Sequence, residues 1–238
     1  MDWKKFWQNY RVVPIHGFED LLFQVGLTVN GKPVSKEVFD QIIKDISNNL
    51  NLCKSDNVLD LCCGNGVITY TISKYVQTVY GVDYSKPFLK NAKDFNSSLN
   101  IVYHLADINN REQMISTLGK SKLNKVYMYG SLAYFTKYQF IELLKTLTEI
   151  SQADTIFFFG GILDEERIWY FFNSIKRKLV YLIRIKLFRK DPAIGTWWKK
   201  KQIKEISEAN GFQCVILEQN KILHTSHYRF DILLKRVN

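Results

Sequence analysis

Residues 58–69 read Val58-Leu59-Asp60-Leu61-Cys62-Cys63-Gly64-Asn65-Gly66-Val67-Ile68-Thr69, and they limit the fold more than any other stretch. An apolar run holding one acid gives way to small residues and two glycines one apart, after which apolar residues resume at helical spacing. A buried strand that turns sharply into a helix leaves this pattern. Gly64 and Gly66 can take φ values closed to other residues, and with no side chain they let a ligand approach the main chain. Asp60 sets a carboxylate at the strand end, where a cationic or hydroxyl-bearing ligand group would sit. Two glycines alone suit an ordinary strand–helix turn equally well, so the surrounding pattern decides.

That pattern is an alternation of strands and helices. A short aromatic helix is predicted over Asp2–Tyr10. Residues 14–34, punctuated by Pro14, Gly17, Gly26, Asn30-Gly31 and Pro33, read as a loop with turns. Ser35 is a good N-cap for a helix with Val38, Phe39, Ile42, Ile43, Ile46 and Leu50 on one side. Strands are predicted at 57–62, 78–83, 100–107, 125–131 and 155–160, with helices at 67–75, after Ser85, at about 110–118 and after Thr136. The 155–160 strand is wholly apolar, as strands covered on both faces are. Residues 161–198 break the rhythm, and a helix over 199–210 then leads to two strands at 214–217 and 228–234. Repeated βα units with continuous apolar strands predict an α/β fold, a doubly wound and mostly parallel sheet. At 238 residues the chain fits one domain, 1–238, with 1–34 as an N-terminal lid or cap and 161–198 as a basic helical insertion.

Asp60, Asp83 and Asp107 each fall at the carboxyl end of a predicted strand, where open parallel sheets bind their ligands. Asp83 follows Gly66 by 17 residues, a place from which an acid can accept both hydroxyls of a ribose. Asp107, flanked by Ala106 and Ile108, is placed to meet an adenine amino group. A dinucleotide oxidoreductase would want a third glycine where Thr69 stands, and would not set Asp60 against a pyrophosphate.

This set of residues resembles the class I S-adenosylmethionine-dependent methyltransferases, over about residues 35–160 and the C-terminal strands. The resemblance implies a Rossmann-like methyltransferase fold, a seven-stranded sheet with an antiparallel C-terminal strand, and S-adenosyl-L-methionine as cofactor. It implies that the loop of Asp60, Cys62, Gly64, Asn65 and Gly66 holds the methionine part. Asp83 would hold the ribose with Tyr84 beside the adenosine, and Ala106, Asp107 and Ile108 the adenine edge. Tyr129-Gly130-Ser131 would lie under the sulfonium end. The family loop often has glycine where this chain has Cys62, so the φ of that cysteine must be allowed. The stretches Gly195-Thr196-Trp197-Trp198 and His224 to Asp231 are similar to those of small-molecule enzymes of polysaccharide biosynthesis.

Methyl transfer is an in-line displacement at a charged sulfur. The protein aligns donor and acceptor, excludes water and, for a hydroxyl acceptor, removes a proton. After the fourth strand, Tyr129-Gly130-Ser131-Leu132 stands where enzymes acting on base amino groups carry an Asn/Asp-Pro-Pro-aromatic motif. No Pro-Cys pair offers a nucleophile toward a pyrimidine. The expected acceptor is therefore a small molecule; the resemblance to polysaccharide-biosynthesis enzymes implies a sugar-like one and the amphipathic insertion suits a lipid-linked one, methylated at oxygen. The alternatives are an RNA methyltransferase using the basic insertion and a non-catalytic S-adenosylmethionine-binding protein. His227 and His224, between the last two strands, are the candidate bases; His16 lies in the N-terminal loop and His104 reads as structural. No combination of His, Cys, Asp and Glu has metal-ligand spacing, so no metal is expected.

Charge is uneven. Residues 176–204 hold eleven Lys and Arg against one acid, Asp191, which equals the whole net charge of +10 and leaves the rest of the chain balanced. Within 168–190 apolar residues interleave with these basic ones, as in one or two amphipathic helices. Such a segment suits a lid with solvated basic residues, a contact with a peripheral anionic membrane, or a grip on a phosphate-bearing acceptor; a basic patch alone makes nucleic acid a weak inference. Four cysteines without CxxC spacing and a start lacking a signal-like apolar core lead us to expect a cytoplasmic chain, peripheral to the inner membrane surface if 168–190 meets lipid.

Overall fold

A computed structural model describes residues 2–10, 14–186 and 194–237. The chain starts with α1 (Trp3–Asn9) and α2 (Phe18–Gln24), a two-stranded hairpin β1 (Thr28–Val29) and β2 (Lys32–Pro33), and α3 (Lys36–Leu50). The βα units are β3 (Asn57–Leu61), α4 (Val67–Ser73), β4 (Thr78–Asp83), α5 (Lys86–Phe95), β5 (Ile101–Leu105), α6 (Arg111–Leu118), β6 (Leu123–Tyr129), α7 (Lys137–Ile150) and β7 (Ser151–Leu163). The insertion forms α8 (Ile168–Phe171) and α9 (Ile175–Lys186), followed by α10 (Lys200–Ala209), β8 (Phe212–Glu218) and β9 (Arg229–Arg236).

The sheet runs β5-β4-β3-β6-β7-β9-β8. All neighbours are parallel except at β9, which runs against both β7 and β8. This is the predicted seven-stranded, doubly wound sheet with its antiparallel C-terminal strand. Strand order reverses between β3 and β6, so a crevice opens at their carboxyl ends. Side chains alternate across the sheet: Val126, Met128, Phe157 and Phe159 pack with α7 and α10 residues, whereas Tyr127 and Phe158 pack with α3 and α4 residues.

Local chemistry explains the elements. Ser35 accepts from Val38 N and starts α3, whose Phe39, Ile42, Ile43, Ile46 and Leu50 are buried. Thr136 and Gln139 form a capping box at α7. Two expectations need correction. Residues 14–34 are not only loop: α2 buries Leu21, Leu22 and Gln24, and Asn30-Gly31 turns the small hairpin. β7 extends beyond 155–160 at both ends: its start pairs with β6, Ser151 opposite Leu123, and β9 continues to pair with it as far as Leu163 opposite Arg229. After α9, residues 187–193, which fall within the predicted basic insertion, lie outside the described residues. The chain returns through Trp198, which is fully buried, with its main-chain N–H donating to Leu163 O at 2.8 Å.

Candidate active site

The turn after β3 holds three residues in the left-handed region: Cys62 (φ 60), Gly64 (φ 56) and Gly66 (φ 75). Two are glycines; Cys62 carries the strain that the sequence flagged. A Cβ at Gly66 would lie 2.2 Å from Tyr103 Oη, so this glycine admits the tyrosine of β5. A Cβ at Gly64 would lie 2.9 Å from Val25 Cγ1, so the turn also closes against the end of α2.

Asp83 ends β4 beside that turn. Its Oδ2 accepts from Gly64 N at 2.9 Å and its Oδ1 from Ser85 N at 2.8 Å. Burial pushes its pKa up to about 6 despite these N–H donors. Asp60 is held differently. Its Oδ2 accepts from Thr69 Oγ1 at 2.5 Å and from Tyr127 Oη at 2.7 Å, and burial pushes its pKa up to about 7. Thr69, at the position of the missing third glycine, thus ties α4 to the end of β3. Asp107 accepts from Lys4 Nζ at 2.8 Å and from Asn109 N at 3.0 Å. Burial acts to raise its pKa, but the Lys4 bond and charge and the Asn109 N–H bring it below the usual carboxylate value.

These groups line one cavity of about 700 Å³ at the carboxyl ends of the strands. α1 covers it: the Trp3 and Trp7 rings lie 4.7 and 5.3 Å from that of Tyr134, and Tyr84 Oη donates to Trp3 O at 3.2 Å. Val25 to Thr28, the start of α3, the loop 223–228 and Arg229 at the start of β9 complete the lining.

Of the residues predicted from sequence, Asp60, Cys62, Gly64, Asp83, Tyr84, Asp107, Ile108, Tyr129 and His224 line the cavity. Four do not. Asn65 is buried the other way, its Nδ2 donating to Leu21 O at 2.8 Å and Gln24 Oε1 at 2.9 Å, so it anchors α2. Gly66 faces Tyr103. Ala106 packs into the core, its N–H bonded to Asp83 O at 3.1 Å. His227 is exposed, its ring edge-on to Tyr228, whereas Nδ1 of His224 is buried with no hydrogen-bond partner. His16 is exposed, and His104 lies half-buried on the edge strand β5, its ring stacked 6.3 Å from Tyr80. Sequence reasoning missed Lys4, Trp7 and the part played by Arg229 on the walls. The crowding of aromatics in the first ten residues was the available signal for the lid; nothing local marked Arg229.

Residues 58–154, which span the turn and the three acids, match the family model described as a methyltransferase domain. Over that segment the chain carries the methyltransferase domain of the class I S-adenosylmethionine-dependent enzymes. Among curated relatives, a probable cobalt-precorrin-6B C(15)-methyltransferase (decarboxylating) of Methanococcus vannielii is 35% identical over 107 residues. That match covers 43% of this chain and 54% of the relative, so the chain spans about half of that protein's length. Among solved structures, phosphoethanolamine N-methyltransferase 1 of Haemonchus contortus superposes with a TM-score of 0.69 at 15% identity, over 98% of this chain and 48% of that one. A methyltransferase of Anabaena variabilis superposes with a TM-score of 0.65 at 19% identity, over 98% and 93% of the two chains. At these identities the structures speak for the fold alone.

The family's cofactor is S-adenosylmethionine, and the cavity's chemistry fits it. Asp83 presents an acceptor-only carboxylate for paired hydroxyls, and Tyr84, Phe88 and Ile108 give flat and apolar walls beside it. Asp107 offers carboxylate acceptors at the same cavity, one of its oxygens already held by Lys4.

Proposed function

We propose that this protein is an enzyme that methylates a small, sugar-like or lipid-linked acceptor at oxygen, with S-adenosylmethionine as donor. The observation that carries this reading is the continuity of the cavity. Asp83 and Asp107 lie on one side, and His224 on the other, under one aromatic lid. When bound, the cofactor supplies an electrophilic methyl group on a positively charged sulfur.

The chain's own residues do the rest. Asp83 and the Gly64 turn orient the donor, and Asp107 reads its base. Trp3, Trp7 and Tyr134 exclude water, which strengthens every polar contact inside. His224 is the base. Burial lowers its pKa, the nearby Arg229 and His227 charges lower it further, and a bond to the Thr28 backbone opposes them. The imidazole is then neutral near pH 7 and belongs to the cavity lining, where the ring can take a hydroxyl proton. His227, exposed beside Tyr228, is the weaker base. Release of S-adenosylhomocysteine on panels of sugars and of lipid-linked sugars tests the reaction. His224→Gln should lower kcat by roughly 10²-fold or more; an unchanged kcat would remove His224 from the mechanism.

We further propose that α9 rests on anionic lipid. Arg177 and Tyr181 contact the rings just before the helix, the Arg177 guanidinium 4.7 Å from the Phe171 ring centre and the Tyr181 ring 4.3 Å from that of Phe172. The apolar stripe of Ile175, Leu179, Leu182 and Ile183 is left to solvent, Ile175 at 79% and Leu179 at 54% exposure. Lys176, Lys178 and Arg184 flank it, the arrangement of a helix lying in a lipid interface. No helix among the described residues is long and apolar enough to cross a membrane.

A further inference from the structure

Arg229 and Asp231 stand two residues apart on β9 and so share a face of the strand. Opposite them, β7 is interrupted by a bulge between Phe159 and Ile162, at Gly160-Gly161. The two side chains hold the Gly161 residue from both sides. Arg229 Nη1 donates to Gly161 O at 2.9 Å, and Gly161 N donates to Asp231 Oδ1 at 2.8 Å. Gln219 Nε2 donates to the same Oδ1 at 2.8 Å, while its Oε1 accepts from Thr225 Oγ1. A Cβ at position 161 would lie 3.2 Å from Arg229 Nη1, so the glycine leaves room for the guanidinium.

This arrangement fixes Arg229 without a direct salt bridge, although the Asp231 carboxylate lies close enough to feel its charge. Asp231 is engaged by the uncharged donors of Gly161 and Gln219, and among the described residues Arg229 forms no salt bridge. Its Nε is buried and has no hydrogen-bond partner. The side chain lines the cavity beside His224, whose Nδ1 is also buried and unpartnered. A half-buried cation with an unsatisfied donor is costly unless a ligand completes it. A guanidinium does so best with a carboxylate or phosphate, whose oxygens match its fork of donors. An anion there would also relieve the repulsion by which the Arg229 charge disfavours protonation of His224.

We propose that Arg229 is the anchor of an anion subsite in the acceptor half of the cavity, so that the molecule methylated carries a carboxylate or phosphate group. The proposal rests on the methyltransferase reading above, which makes the far side of the cavity the donor half. Arg229 positions the acceptor, and His224 is left free to meet its hydroxyl.

The test uses the full chain saturated with S-adenosylhomocysteine and titrated separately with acetate, inorganic phosphate and chloride at matched ionic strength. Binding is followed through the arginine Nε–H resonances and the shift in Tm. Acetate or phosphate, but not chloride, should move the Arg229 Nε–H resonance saturably, and the tighter of the two identifies the acceptor's acidic group. Arg229→Gln should weaken that binding at least tenfold while leaving affinity for S-adenosylhomocysteine within about twofold, with Arg229→Lys in between. An Nε–H resonance unmoved by both anions in the wild type, or equal anion affinity in Arg229→Gln, would overturn the subsite. The wild-type resonance decides the matter if Arg229→Gln does not fold. Failure of the wild type to bind S-adenosylhomocysteine would instead overturn the methyltransferase reading and this proposal with it.

Discussion

The hydroxyl of Tyr127 donates to Asp60 Oδ2 at 2.7 Å, across two adjacent parallel strands and within the buried centre of the sheet. Thr69 donates to the same oxygen at 2.5 Å, so one carboxyl group joins β3, β6 and α4 at the turn beneath the cavity.

That carboxyl group makes stability depend on pH. Burial pushes the pKa of Asp60 from 3.8 to about 7 in the fold, so the folded protein holds a proton that the unfolded chain releases. Its stabilising contribution is fully present below about pH 4 and is lost as pH rises through about 7. Asp60→Asn should therefore gain stability relative to the wild type by up to about 1.4 kcal/mol per pH unit across that window. Urea melts at pH 5 and pH 7.5 measure it; a constant difference between the two proteins would contradict the assignment.

The turn itself distinguishes strain from packing. Cys62 has φ 60, which a β-branched residue resists far more than glycine does. Cys62→Val should lower stability by about 2 kcal/mol or more, whereas Cys62→Gly should stay within about 1 kcal/mol of the wild type. Equal losses in chemical denaturation would mean that side-chain contacts, not φ, govern the position.

Gly66 and Tyr103 should be coupled. A Cβ at residue 66 would lie 2.2 Å from Tyr103 Oη, which itself donates to Asn96 O at 2.7 Å. Gly66→Ala should cost about 2 kcal/mol or more, and Tyr103→Phe about 1 kcal/mol. The double variant should be at least about 0.5 kcal/mol more stable than the sum of the two losses implies. Strict additivity in a denaturation cycle would show that the clash is relieved elsewhere.

The exposed face of α9 should respond to lipid charge. The protein should float with vesicles rich in anionic lipid at low salt, less so at high salt, and not with neutral vesicles. A Leu179→Asp, Ile183→Asp double variant should lose flotation with its fold unchanged by circular dichroism. Absence of flotation at low salt would remove the membrane contact.

Most of the fold was legible because its signals are local. Val58 to Leu61 and Ile156 to Phe159 are apolar enough to require burial on both faces, and Ser35, Ser85 and Thr136 mark helix starts by their capping chemistry. Residues 14–34 were read as loop because α2 is only seven residues long, and its Leu21 and Leu22 are buried by partners distant in sequence. That Asp60, Asp83 and Asp107 meet at one cavity was legible for a similar reason: they stand at strand ends, and strand ends converge in such a sheet. The orientation of Asn65 and Gly66 was not, since it depends on Gln24 and Tyr103 arriving from elsewhere. Arg229 was hidden because its surroundings come from a bulge in β7, and a glycine pair inside an apolar strand does not say which side chain it makes room for.

The central claim is that Asp83 holds the donor of a methyl transfer, and calorimetric titration with S-adenosylhomocysteine tests it most directly. The wild type should bind at one site per chain, and Asp83→Asn, which keeps the shape but not the charge, should bind about tenfold more weakly or worse. No binding by the folded wild type, or equal affinity in the two proteins, would contradict it.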